Sequence, residues 1–199
     1  MNSAIKSTSL CFETIKAVDG ILYHVPYHEA RLNQTRKELF NAHMPIRLST
    51  SLQAPLRGTY RIRVVYGKEI ESIEYIPYVP REFQTFMCHE VETISYAHKF
   101  CDRSLFEIPC DEHVDDVLFI VENELKDTRI ANIALLIDGV WKTPMYPLLK
   151  GTTRTRLLAS GWLLTERLER QSLQKAEKFA IMNALIGFKV IENVRWIKE

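Results

Sequence analysis

DTRIANIALLIDGVWKTPMYPLLKGTTRTRLL, residues 127–158, is the stretch on which the reading of the whole chain turns. It opens on an acid, Asp127, passes through Asn132 and runs apolar from Ile133 to Ile137. Asp138-Gly139 is a tight-turn pair, and Val140 and Trp141 begin a returning strand. Leu148-Leu149-Lys150 then leads into Gly151-Thr152-Thr153-Arg154, where helical periodicity starts at once. That periodicity predicts a helix from Thr153 to about Arg170, with Leu157, Leu158, Gly161, Leu164 and Leu168 facing the core. A hydroxyl-rich turn opening a helix presents unpaired backbone N–H groups and the positive end of a helix dipole. The combination binds phosphate, although such threonines more often only cap the helix. One segment thus sets an acid at one end and an anion cradle at the other, joined by a hairpin.

Upstream, Cys11 to Val25 reads as a β-hairpin turning at Asp19-Gly20, with Phe12, Thr14, Lys16 and Val18 alternating against Glu13, Ile15 and Ala17. Pro26 starts a helix expected over Tyr27 to about Ala42, with Arg31 in its first turns. Two strands follow, Thr59–Tyr66 and Glu69–Tyr78, around Gly67-Lys68. Pro77-Tyr78-Val79-Pro80 is the stiffest short linker, because each proline restricts itself and the residue before it. A domain boundary is placed there, giving a small N-terminal α/β domain over residues 1–80 and a C-terminal domain over 81–199. The second domain opens on a strand, Thr85–Ile94, and continues through Lys99 to the buried-type strand Val117–Val121. After the long helix, a short helix at Leu173–Phe179, a turn over Ala180–Leu185 and a closing strand at Phe188–Ile197 are expected.

With 26 Lys and Arg against 25 Asp and Glu, a net charge of +1 provides no global field to recruit nucleic acid or an anionic membrane. No apolar run approaches the roughly 20 residues that span a bilayer. Met1–Lys6 carries no signal-peptide core, so a cytoplasmic protein is expected. The four cysteines, Cys11, Cys88, Cys101 and Cys110, suit reduced thiols. Cys88, Cys101 and Cys110 together with His89, His98 and His113 could be written as a zinc site, but the spacing lacks a regular ligand–spacer–ligand pattern, and no metal is assigned.

Three groups of residues carry a resemblance. They are Leu10-Cys11-Phe12-Glu13-Thr14 with Asp19-Gly20 and His28-Glu29-Ala30-Arg31-Leu32; Asp127-Thr128-Arg129-Ile130-Ala131-Asn132; and Leu149-Lys150-Gly151-Thr152-Thr153-Arg154. Together they resemble the class IV (fold-type IV) PLP-dependent aminotransferases, which include D-amino-acid and branched-chain aminotransferases and aminodeoxychorismate lyase. The likeness runs from Leu10 nearly to the end. It implies an α+β, two-domain fold: a small α/β domain, then a larger β-barrel-like domain with helices that binds pyridoxal 5'-phosphate. It also implies a homodimer acting on an amino acid or an aminodeoxychorismate-like compound, by transamination or by elimination to p-aminobenzoate and pyruvate.

The resemblance assigns roles residue by residue. Lys99, otherwise an ordinary exposed lysine past a strand, carries the Schiff base. Asp127 faces the pyridine nitrogen and keeps the ring an electron sink. Arg31, otherwise a solvated helix arginine, grips the phosphate with its planar fork. Thr152 and Thr153 complete the cradle. Asn183 and Ala184, which by themselves would be ordinary turn residues, form the second phosphate-side turn. The chain departs from the family in three places. Asp127 stands where glutamate is usual. Tyr66 stands where the aminotransferases often carry a substrate-binding arginine before the glycine matching Gly67. The segment that usually precedes the Leu10 region is nearly absent, so a short, N-terminally truncated member is expected. A PLP-binding protein of this fold without turnover, or a zinc-binding interaction module, remains the alternative.

Overall fold

The computed structural model describes residues 9–198, folded as two units. One holds the described chain up to Val79 together with His98–Arg103; the other holds Pro80–Ala97 and the described chain from Ser104 onward.

In the first unit, β1 (Cys11–Val18) turns at Asp19 and Gly20 into β2 (Ile21–Leu22). The turn needs positive φ at both positions, 45° and 82°, which an Asp-Gly pair supplies at little cost. β1 also pairs antiparallel along its whole length with β3 (Thr59–Tyr66), and β3 pairs with β4 (Ile70–Pro77), giving the order β2-β1-β3-β4. The period-2 alternation puts Ile15, Ala17, Ile62, Val64 and Tyr66 on one face. These residues form a core with Val25 and Leu32 of α1 (Val25–Phe40) and with Leu48 of the one-turn α2 (Leu48–Ser51). Helix α1 has Pro26 in its first turn and stops at Asn41, which is left-handed. Arg36 is fully buried: its Nε donates to Lys68 O at 2.8 Å and its Nη1 to Met44 O at 2.6 Å, fastening the helix to the β3–β4 turn.

His98–Arg103, allotted to the second domain from sequence, packs in the first unit. The reason is backbone pairing: Phe12 N donates to Lys99 O at 2.9 Å and Cys101 N to Leu10 O at 2.7 Å. This segment lies within the connection from β5 to β6, a parallel pair that demands a long crossover.

The second unit contains β5 (Thr85–Val91), β6 (Asp116–Val121), β7 (Glu124–Thr128), β8 (Asn132–Ile137), β9 (Val140–Pro144), α3 (Thr152–Ala159), β10 (Leu164–Glu166), α4 (Ser172–Lys175), β11 (Lys178–Asn183), β12 (Gly187–Ile191) and β13 (Arg195–Lys198). Its strands form one sheet of order β10-β9-β8-β11-β12 and another of order β13-β5-β6-β7. Both contribute to a single core, Phe86, Leu118 and Ile120 from one and Ile133, Leu135, Phe179 and Ile181 from the other. This mixed fold of few helices and three sheets is the α+β architecture expected from sequence.

The tail of the chain differs from its periodicity. The helix begun at Thr152 ends at Ala159, not near Arg170. Gly161 adopts φ +71°, and Trp162 N and Leu163 N turn back to Leu157 O. Leu164 therefore lies on a strand and is 51% exposed, whereas Leu157 and Leu168 are buried. The helix expected over Leu173–Phe179 shortens to α4, and Ala180–Asn183 belongs to β11, with the turn only after it. The closing strand is split: Asn193, at φ 52°, separates β12 and β13, which join different sheets.

Candidate functional site

Two clusters contain the residues singled out from sequence, one in each unit. In the first unit, the apolar face of β1 carries an acid. Glu13 follows the parity of Ile15 and Ala17 and is completely buried. A buried carboxylate must be paired to stay charged. Arg31 Nε and Nη2 donate to it at 2.8 and 2.6 Å, and His28 Nδ1 lies 2.7 Å from Oε2. Burial pushes the Glu13 carboxyl up, but the charge of Arg31 and the bonds from His28 and Arg31 outweigh it and hold it at about 2. The acid is therefore an anion at every ordinary pH, and Nδ1 of His28 is the donor. Arg31 is thus locked in place on the first turns of α1.

Lys99 is partly buried, with Nζ 4.6 Å from the Phe12 ring centroid. Burial, then the positive charges of Arg31 and Arg103, bring its ammonium from 10.5 down to about 7; Glu13 opposes them and Arg63 adds to them. At neutral pH a large share of this amine is unprotonated and nucleophilic. Tyr66 is fully buried on the core face of β3, and burial raises its phenol.

In the second unit, Asp127 of β7 is buried, with both carboxylate oxygens bonded. Asn132 Nδ2 donates to Oδ1 and Leu149 N to Oδ2, each at 2.8 Å. Burial raises its carboxyl to about 6 against the pull of these bonds and of Arg154. Asn132 Nδ2 also reaches Leu149 O at 2.8 Å, so one amide joins the acid to the loop that opens α3. Gly151 is required there, since a Cβ on it would lie 2.1 Å from Asn132 Oδ1. Thr152 and Thr153, both buried, form the first turn of α3, where backbone N–H groups have no acceptor within the helix. The Asn183 side chain closes the turn after β11: its Oδ1 accepts from Leu185 N at 2.9 Å and Ile186 N at 2.8 Å, and its Nδ2 donates to Ile130 O at 3.1 Å. This turn, with Ala184 inside it, is therefore tied to the Asp127–Asn132 loop.

The fold thus brings Arg31 and Lys99 into electrostatic range in the first unit. In the second it gathers Asp127, the start of α3 and the Asn183-Ala184 turn. Sequence reasoning gave no role to Glu13 or Arg154. The first was detectable, because an acid in register with Ile15 and Ala17 has to find a buried partner. Arg154 is buried at the same helix start and donates to Pro144 O at 2.8 Å. Among the described residues no three His, Cys, Asp or Glu side chains are placed to hold a metal ion, and no helix is long and apolar enough to cross a membrane.

No family model matches the chain. A protein of Haemophilus influenzae, itself uncharacterized, is 28% identical over 186 residues, which is 88% of this chain and 97% of that protein. Among solved structures, one from Haemophilus somnus 129pt, provisionally named a 4-amino-4-deoxychorismate lyase, is similar at TM-score 0.81 with 27% identity, covering 90% of this chain and 97% of that one. One from Mesorhizobium loti, provisionally named an amino-acid aminotransferase, gives TM-score 0.78 with 21% identity, covering 94% and 99%. The branched-chain amino acid aminotransferase of Escherichia coli gives TM-score 0.69 with 16% identity, covering 96% and 78%.

Proposed function

We propose that this chain, which has the fold of the class IV aminotransferases and aminodeoxychorismate lyases, binds pyridoxal 5'-phosphate and acts on an amino acid or an amino-acid-like amine. The observation that carries the reading is Lys99, a partly buried lysine among arginines whose amine is brought to about 7. The other residues fit the cofactor. Arg31 is preset by Glu13, Thr152 and Thr153 offer helix N–H donors, and a buried acid, Asp127, retains its charge at neutral pH. When bound, the cofactor supplies an electron sink that weakens the bonds at the substrate α-carbon.

The residues have distinct tasks in this scheme. Lys99 Nζ would hold the cofactor, and when released as a free amine poised near neutrality it could take a proton from the substrate α-carbon and return it. Asp127 keeps a proton on the ring nitrogen, its own geometry fixed by Asn132 and Leu149 N. Arg31, the start of α3 and the Asn183-Ala184 turn would supply donors for the phosphate. The protein acts as a homodimer in the cytoplasm.

The test is the absorption spectrum of purified protein with added pyridoxal 5'-phosphate, followed by borohydride and peptide mass analysis. A visible band and a cofactor adduct on Lys99, both absent in Lys99→Ala, are expected; an adduct elsewhere, or none, refutes the reading. Products then separate the reactions. Pyruvate and p-aminobenzoate from aminodeoxychorismate indicate the lyase, and glutamate from 2-oxoglutarate plus a donor indicates transamination. A bound cofactor with neither product indicates a protein without turnover.

A further inference from the structure

We propose that Arg154 is a positioning residue for Asp127: it closes the loop that aims the acid and supplies the positive charge that keeps the acid ionised. The inference rests on the reading above only in what Asp127 is for, which is to face the ring nitrogen. Pro144 ends β9 and Arg154 lies in the first turn of α3, with a loop between them. Arg154 Nη2 donates to Pro144 O at 2.8 Å and so ties the two ends of this loop together. The middle of the same loop is pinned to the acid. Leu149 N donates to Asp127 Oδ2, and Leu149 O accepts from Asn132 Nδ2, each at 2.8 Å. One side chain therefore fixes the ends of the segment whose midpoint orients the carboxylate.

The bond to Pro144 accounts for only part of this side chain. Arg154 is 5% exposed, its Nε has no hydrogen-bond partner, and among the described residues no carboxylate lies within ion-pair distance of it. A donor to Pro144 O need not be charged, so loop closure alone gives no reason for a buried cation here. A backbone carbonyl cannot neutralise a guanidinium, and a charge so deeply buried is costly unless an opposite charge lies within reach. Asp127, itself buried, is that charge. The relation is mutual. Burial pushes the Arg154 guanidinium down and the charge of Asp127 opposes it. Burial pushes the Asp127 carboxyl up, and the bonds from Asn132 and Leu149 and then the charge of Arg154 oppose that. Arg154 thus acts on the ring only through the acid.

The test uses the protein without cofactor, in which the Asp127 side-chain carboxyl is titrated by carbon NMR. In wild type the midpoint is expected near pH 6. Arg154→Gln, which keeps a polar amide and removes the charge, is expected to raise it to about pH 7 or above. Arg154→Lys, which keeps the charge, is expected to stay within about half a pH unit of wild type. If Arg154→Gln folds poorly, the double variant with Asp127→Asn replaces it. Removing both charges is expected to give a urea midpoint at or above that of Asp127→Asn alone, whereas a mere tether leaves the double variant clearly below it. An Asp127 midpoint unmoved in Arg154→Gln, or raised equally by Arg154→Lys, overturns the proposal, as does a double variant that behaves as a lost tether. Borohydride labelling of cofactor-loaded wild type keeps the two readings apart. An absent Lys99 adduct with a midpoint that moves as expected sinks the cofactor reading and keeps the role of Arg154. An adduct with an unmoved midpoint sinks the role of Arg154 alone.

Discussion

Replacing Glu13 by glutamine tests the buried charge cluster of the first unit most directly. The folded-state carboxyl sits at about 2 against an ordinary value of 4.5. A depression of that size corresponds to about 3 kcal/mol of stability at neutral pH. Glutamine keeps the shape but leaves His28 and Arg31 facing an amide that cannot return their charge. Breaking a buried pair in this way costs about 3–5 kcal/mol, so the two routes agree on the order of magnitude. The pH dependence follows from the sign of the shift. Because folding lowers this pKa, the stabilisation is fully present above about 4.5 and is lost as pH falls towards 2. Urea unfolding of wild type and Glu13→Gln, followed by circular dichroism at pH 7 and pH 3, measures the difference. The variant should be less stable by about 3 kcal/mol at pH 7 and by clearly less at pH 3. A difference below about 1 kcal/mol at pH 7, or one that does not shrink on acidification, would refute the reasoning, because a surface-type pair contributes no more than that.

Other parts of the molecule can be tested in the same way. Lys99 should react with an acylating reagent along a titration curve centred near pH 7, well below that of the exposed lysines; mass-spectrometric labelling across pH reads it, and a midpoint near 10 refutes the poised amine. Gly151→Ala places a methyl 2.1 Å from Asn132 Oδ1 and must displace the amide that holds Asp127. A loss of about 1–3 kcal/mol is expected, and in a double-mutant cycle Asn132→Ala should add little further cost; full additivity contradicts the contact. Arg36→Ala removes the donors that reach Lys68 O and Met44 O from a fully buried site. It should lower stability by about 3 kcal/mol or more in thermal unfolding, and a change under about 0.5 kcal/mol would show the fastening to be idle.

The legible parts of the fold were those governed by neighbours in sequence. Asp19-Gly20 and Asp138-Gly139 announced their turns, and both pairs take the positive φ angles such turns require. Pro26 announced α1, and the alternation of β1 and β3 announced them as strands, though not their pairing with each other. The helix after Thr153 looks longer in sequence than it is because its leucines keep helical spacing through Gly161, whose left-handed conformation ends the helix while the spacing runs on. The closing strand reads as one because Phe188, Val190, Val194 and Trp196 keep an alternating spacing across the turn at Asn193. In the candidate site, the residue types at Arg31, Lys99 and Asp127 were visible from motif resemblance, but their environments were not.

By itself, then, the amino-acid order determined turns and strand faces, since these depend on backbone preferences and on side chains a few positions apart, while the α+β class was what the resemblance of its motifs implied. Only tertiary structure decided that Glu13 pairs with Arg31 across 18 positions and that Lys99 joins β1 through backbone bonds. It likewise decided that Asp127 is held by an amide and a backbone N–H from two other segments. Charge states in this protein follow from burial and from partners distant along the chain, and neither exists until the chain has folded.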